Sequence, residues 1–145
     1  MNDVAKPRTE AGWSALFAAW LVATGATFGS MFFSQVMDLP PCSLCWYQRI
    51  FMFPLPIVLL AGLVPYDPRA PRYGLPLALI GAALGVWHTL LYVGVLPKSA
   101  APCAQGVPCG QHIFELFGIL PIPLLSLLAF LVIAGLLLLS RARSK

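Results

Sequence analysis

Four apolar stretches, each about as long as a bilayer's hydrocarbon core is thick, leave this chain few ways to fold. A core of about 30 Å needs about 20 mainly apolar residues per helix. Such stretches run from about Trp13 to Val36, Leu44 to Val64, Tyr73 to Leu96 and Ile113 to Leu139. The first carries no charge between Glu10 and Asp38, the second is interrupted early by Gln48 and Arg49, the third contains His88 and the fourth has Glu115 near its start. None alternates every second residue, so helices rather than barrel strands are expected. Composition agrees, because 59% of residues are hydrophobic, only 10% are charged and mean hydropathy is +0.84. Soluble domains carry about 25% charged residues. Too little charge remains here to coat a water-facing surface, which argues against a soluble enzyme, a disordered tail or a nucleic-acid binder. The expected fold is all-α, a four-transmembrane-helix bundle forming a single integral membrane domain over residues 1–145 in the lipid bilayer.

The first stretch also has features of a cleavable signal peptide, with Lys6 and Arg8 before it and small residues from Ala23 to Ala26. It outlasts the roughly 7–15 residues of a signal's apolar region, continuing through Phe28, Met31, Phe32 and Phe33, which favours a retained helix. Basic residues set the expected orientation. Lys6 and Arg8 precede the first helix, Arg69 and Arg72 lie between the second and third, and Arg141, Arg143 and Lys145 follow the fourth; seven of the nine thus share one side. The positive-inside rule makes that side cytoplasmic, with both termini inside and outer loops at about 37–43 and 97–112. The net charge of +4 then needs no acidic partner. The link from Pro65 to Arg72 reads as a tight proline-rich connection. Gly25 with Gly29, and Gly81 with Gly85, have the spacing that lets helices approach closely, and packing within the bundle is expected of both pairs. Pro54 and Pro56 should bend the second helix or weaken its hydrogen bonding.

All four cysteines fall on the expected outer side: Cys42 and Cys45 at the first outer loop, Cys103 and Cys109 in the second. Outside the cell membrane is where disulfides persist. Three chemistries compete: two structural disulfides, with three possible connectivities; a four-cysteine zinc site, for which Cys-x5-Cys is a poor half; and a thiol–disulfide relay. The surroundings of the first pair favour the relay. Neither Pro40 nor Pro41 can sit inside a helix, so the second helix should begin close to Cys45, where free N–H groups and the helix dipole stabilise a thiolate. Arg49, four residues on, shares a helix face with Cys45 and should lower its pKa further. Between Cys103 and Cys109 stand Ala, Gln, Gly, Val and Pro, the composition of an accessible loop whose disulfide stabilises little and is placed to exchange with another protein's thiols.

Arg49 lies one to two turns inside an apolar span, where arginine costs a few kcal/mol unless it snorkels or finds a partner. A membrane-dissolved quinone suits it as ligand. Its carbonyl oxygens accept hydrogen bonds, and it takes up the two electrons that a dithiol releases on becoming a disulfide. His88 stands eight residues, or about 12 Å, from the expected outer end at Leu96. It is a second candidate for binding a quinone oxygen or passing a proton, with a satisfied core histidine as the alternative.

The run Pro41-Cys-Ser-Leu-Cys-Trp-Tyr-Gln-Arg49, the four spans with both termini inside, the second outer cysteine pair, and Gly118 with Pro121 resemble the DsbB family of membrane thiol–disulfide oxidoreductases. The short Cys-x5-Cys loop is most similar to the compact BdbC branch. The resemblance implies an enzyme that reoxidises a DsbA- or BdbD-like thioredoxin-fold thiol oxidase and passes electrons to ubiquinone or menaquinone in the cell membrane, supporting extracytoplasmic disulfide formation. It implies that Cys103 is attacked by the partner's thiol, that Cys109 exchanges with Cys42, and that Cys45 delivers the electron pair to quinone. Arg49 would orient the quinone and stabilise the Cys45 thiolate, and His88 corresponds to a quinone-side histidine. Larger members have a longer second outer loop; only about 16 residues separate Leu96 from Ile113 here. Gln48 is assigned no chemical role. The competing readings are a reductase resembling vitamin K epoxide reductases and a non-enzymatic membrane subunit with structural disulfides. The position of Cys-x-x-Cys at the start of the second span, followed by Arg49, favours the DsbB order over the first. Polar residues along facing helices, expected of a transporter, are nearly absent.

Overall fold

A computed structural model describes residues 6–97, 115–116 and 120–144. In chain order its elements are α1 (Lys6–Gln35), α2 (Ser43–Met52), α3 (Pro54–Leu63), α4 (Pro71–Val93), β1 (Glu115–Leu116), β2 (Leu120–Pro121) and α5 (Ile122–Arg143). Four spans are long and apolar enough to cross a membrane: Glu10–Gln35, Ser43–Leu63, Pro71–Val93 and Ile122–Arg143. The protein is a multi-pass, all-helical membrane protein, with a single two-residue antiparallel pairing of β1 and β2 among the described residues.

Proline and glycine explain where the spans break and stop. The second span divides at Phe53, whose own backbone stays helical at φ −66° and ψ −35°. Pro54 has no N–H for the carbonyl of Ile50, and Pro56 has none for Met52, so the ladder is interrupted and α3 starts anew with proline in its first turn. The third helix ends at Val93 rather than Leu96, because Gly94 turns left-handed at φ 83°. The N–H groups of Gly94 and Val95 then donate back to the Leu91 and Leu90 carbonyls at 3.2 and 3.1 Å. The fourth begins at Ile122, later than the expected start near Ile113, which lies outside the described residues. Glu115–Leu116 pairs with Leu120–Pro121, and Pro121 is extended at φ −68° and ψ 143°, so the helix forms only beyond it.

Around the bundle, α5 packs along both α1 and α4, α3 lies against α1, and α2 lies against α4. Leu16, Ala19 and Ala23 of α1, Leu55 and Leu59 of α3, Ala78 and Ala82 of α4, and Phe130, Ile133 and Leu137 of α5 form the buried centre. Lipid is as apolar as these side chains, so close packing rather than water exclusion holds the helices together within the membrane. At the end remote from α2's first turn, Ser140 donates its hydroxyl to the Gly12 carbonyl at 2.8 Å, tying α1 to α5. Arg69, Arg72, Arg141 and Arg143 gather at that same end.

The two glycine pairs part company. A Cβ on Gly81 would strike the Phe130 ring and one on Gly85 would press on Leu127, so this pair does bring α4 against α5. Among the described residues nothing lies within 4 Å of where a Cβ on Gly25 or Gly29 would stand; contrary to expectation this pair brings no described helix close and instead forms part of the wall of a cavity. Gly81→Ala should therefore lower the thermal midpoint in detergent, with an overpacking cost of about 1–3 kcal/mol, while Gly25→Ala should leave it unchanged. Equal midpoints for both variants would contradict this packing.

Candidate functional site

The site grows from the first turn of α2. Two consecutive prolines keep Pro40 and Pro41 out of the helix, and Cys42, extended at φ −71° and ψ 168°, becomes its N-cap. Its Sγ accepts a hydrogen bond from the Cys45 backbone N–H at 3.4 Å, as a cap oxygen would. The same turn swings Cys45 back, leaving the two sulfurs 3.0 Å apart. His88, buried on α4, brings Nε2 to 3.6 Å from Cys42 Sγ. Because α4 stops at Val93, His88 is five residues from the helix end rather than eight.

This geometry moves the expected thiolate by one position in the motif. The helix terminus acts on Cys42, whereas helix onset near Cys45 had pointed to Cys45. The hydrogen bond from the Cys45 thiol holds Cys42 well below the usual thiol range, at about 4; burial opposes this, and the hydrogen bond and charge of His88 and the Cys45 N–H add to it. Arg49 donates Nη2 to the Ser30 carbonyl at 2.9 Å and sits over the Trp46 ring at 5.4 Å. An arginine inside an apolar span is thus accommodated by an α1 carbonyl and an aromatic face.

Along α2, Leu44, Gln48 and Met52 are buried at four-residue spacing, while Trp46, Tyr47 and Ile50 face outward. Cys45 and Arg49 lie beside the buried stripe and, with Gln48 and Met52, face a cavity of about 590 Å³ between α1, α2 and α5. Gly25, Gly29 and Phe33 of α1 and Ser126 and Ala129 of α5 form much of its other wall, and His88 also lines it. Cys42, Cys45, Arg49 and His88 therefore converge on this cavity. Cys103 and Cys109 lie outside the described residues. Gln48 and Ser126 were missed. Their signal was faint but present: Gln48 is a polar residue in phase with Leu44 and Met52, and its partner on α5 is 78 residues away.

Cys42, Cys45 and His88 present ligand atoms within 4.8 Å of one another. Tetrahedral zinc with thiolates at about 2.3 Å would hold its sulfurs about 3.8 Å apart. At 3.0 Å the pair is set for closing a sulfur–sulfur bond rather than for chelation.

The DsbB family profile, described as "Disulfide bond formation protein DsbB", matches residues 12–140. The chain belongs to the DsbB family. It is 46% identical over 133 residues to a "Probable disulfide formation protein" of Metapseudomonas resinovorans, covering 91% of this chain and 92% of that one. It is 42% identical over 118 residues to "Disulfide bond formation protein C" of Bacillus subtilis (strain 168), covering 81% and 86%. No solved structure matches the chain. Membership of DsbB makes this a membrane protein of disulfide formation and places thiol–disulfide oxidoreduction at its centre.

The low pKa of Cys42 can be read spectroscopically. With Cys103 and Cys109 replaced by serine, the reduced protein should keep about one equivalent of thiolate absorbance near 240 nm from pH 8 downward, because an acid with a lowered pKa stays ionised above it. The signal should fade only as pH approaches about 4. A single ionisation near the ordinary value of about 8.5 would contradict the capping account.

Proposed function

We propose that this DsbB-family protein is a quinone-dependent protein disulfide oxidoreductase of the cell membrane, with its cysteines on the extracytoplasmic side. The observation that carries the reading is that the Cys42–Cys45 pair opens directly onto a largely apolar cavity of about 590 Å³ within the membrane span. Such a volume suits the ring and first part of the tail of a lipid-soluble quinone. Arg49 supplies charged donors at its edge, and the buried Gln48 Nε2 and His88 Nδ1 have no hydrogen-bond partner among the described residues. The clustering of Arg69, Arg72, Arg141 and Arg143 at the opposite end supports the orientation.

The bound quinone supplies a two-electron, two-proton acceptor. On the protein side, a reduced thioredoxin-fold oxidase of the DsbA or BdbD kind loses two electrons and two protons to the Cys103–Cys109 disulfide. That pair, now a dithiol, is reoxidised by exchange with the Cys42–Cys45 disulfide, Cys109 reaching Cys42. Reduced Cys42 and Cys45 would close their sulfur–sulfur bond again, giving up two electrons and two protons, which a quinone held beside Arg49 would take up. His88 meets the first cysteine, so its part in this scheme is to steady the Cys42 thiolate and accept a proton there. Arg49, held by Ser30 and Trp46, keeps further guanidinium donors for a quinone oxygen.

Purified protein mixed with a reduced DsbA-type partner and a short-chain ubiquinone or menaquinone should reduce the quinone. Cys45→Ser should abolish turnover. Arg49→Ala should raise the quinone KM about tenfold or more, as expected for loss of a charge-assisted hydrogen bond, while still inserting and folding. Continued turnover by Cys45→Ser would sink the relay, and failure of Arg49→Ala to insert would make Arg49 a membrane anchor instead.

A further inference from the structure

Gln48 is 5% exposed, inside a membrane span, and lines the cavity beside Cys45 and Arg49. Its two amide atoms are in opposite situations. Oε1 accepts a hydrogen bond from the Ser126 hydroxyl on α5 at 2.8 Å, whereas Nε2 is buried with no partner among the described residues. A buried amide donor left unsatisfied is destabilising, the more so where no water can reach it. Such groups are few in native proteins, and each has a physical reason such as strain, a catalytic role or a bound molecule that completes it. With Oε1 taken by the Ser126 hydroxyl, the amide keeps its N–H donors for another partner.

We infer that Gln48, oriented by Ser126, is a second polar anchor of the cavity that donates its Nε2–H to a carbonyl oxygen of the bound quinone. The anchor has the chemistry of a neutral donor, so it selects an acceptor oxygen. Arg49 contributes charge, and Gln48 contributes direction. Ser126 acts through its hydrogen bond to Gln48 and is a positioning residue. The pair bridges α2 to α5, where these two helices otherwise meet little, so ligand and bundle share one polar link across the cavity. This inference rests on the quinone reading above.

The test separates the two. Wild type, Gln48→Leu, Ser126→Ala and the Gln48→Leu/Ser126→Ala double variant are compared in three measurements: equilibrium binding of a short-chain ubiquinone, reduction of the Cys42–Cys45 disulfide by a small dithiol, and thermal midpoint without quinone. Gln48→Leu should weaken quinone binding about three- to tenfold, the worth of one neutral hydrogen bond, and Ser126→Ala should weaken it less. Dithiol reduction reports that the Cys42–Cys45 pair is intact in each variant. The double variant, with donor and acceptor both removed, should have a midpoint at or above wild type, because the unsatisfied amide is gone and no new orphan is made. Unchanged quinone binding in Gln48→Leu, with wild type binding normally, overturns the anchor alone. A double variant that binds quinone normally but melts earlier makes the Gln48–Ser126 pair a helix clasp and also overturns it. Absence of quinone binding by wild type overturns the cofactor reading and the anchor with it.

Discussion

A thiol, not a hydroxyl or carboxylate, caps the N-terminus of α2, and the site follows from that exchange. Cys42 accepts the Cys45 N–H because the two prolines before it keep the chain extended up to the cap. The cap closes the turn, and the turn sets the sulfurs of a Cys-x-x-Cys motif 3.0 Å apart. Negative charge on the capping sulfur is favoured by the free N–H groups of the first turn, by the second thiol as donor and by His88 from α4. One local structure therefore does two jobs: it starts a membrane helix and it prepares a nucleophile. The remaining helices bring His88 up to this turn and leave beside it an apolar cavity that His88 also lines.

That cavity exists because α2 approaches α4 more closely than it approaches α1 and α5. Two features keep the gap open. Gly25 and Gly29 present bare backbone to it, and the break at Phe53, forced by Pro54 and Pro56, ends α2 with Met52 on the cavity wall. Polar groups are costly at this depth, yet Arg49, Gln48, Ser126 and His88 all face the same space. Each is tied on one side, to Ser30, to Ser126, to Gln48 and to Cys42 respectively. Gln48 and His88 each have a second polar atom with no partner among the described residues. A bundle that needed only to stand in lipid would fill those positions with leucine or alanine, as it does deeper in its core.

Much of this was legible in the chain itself. Span length and the absence of alternation predict four helices, and the pairing of Cys42, Cys45 and Arg49 on one helix needs only a 3.6-residue period. The rest depended on information that periodicity does not carry. Identical spacing in Gly25/Gly29 and Gly81/Gly85 says that a helix can be approached closely, not whether another helix arrives; Phe130 arrives at one pair and open space at the other. The start of the fourth helix was set by pairing of Glu115–Leu116 with Leu120–Pro121, a contact invisible to hydropathy. Which cysteine becomes the cap turned on a single residue of helix onset. Gln48 read as incidental because its meaning comes from Ser126, 78 residues later.

The central claim is that the cavity beside Cys45 is where the membrane acceptor sits. A short-chain quinone carrying a photoactivatable azide, illuminated with the intact protein and mapped by peptide mass spectrometry, tests it most directly. Labels should fall on the stretches of α1 around Gly25–Phe33, of α2 around Cys45–Met52 and of α5 around Ile122–Ala129, and excess unmodified quinone should suppress them. Labels confined to the lipid-facing residues of α4, or labels that unmodified quinone fails to displace, would contradict the account.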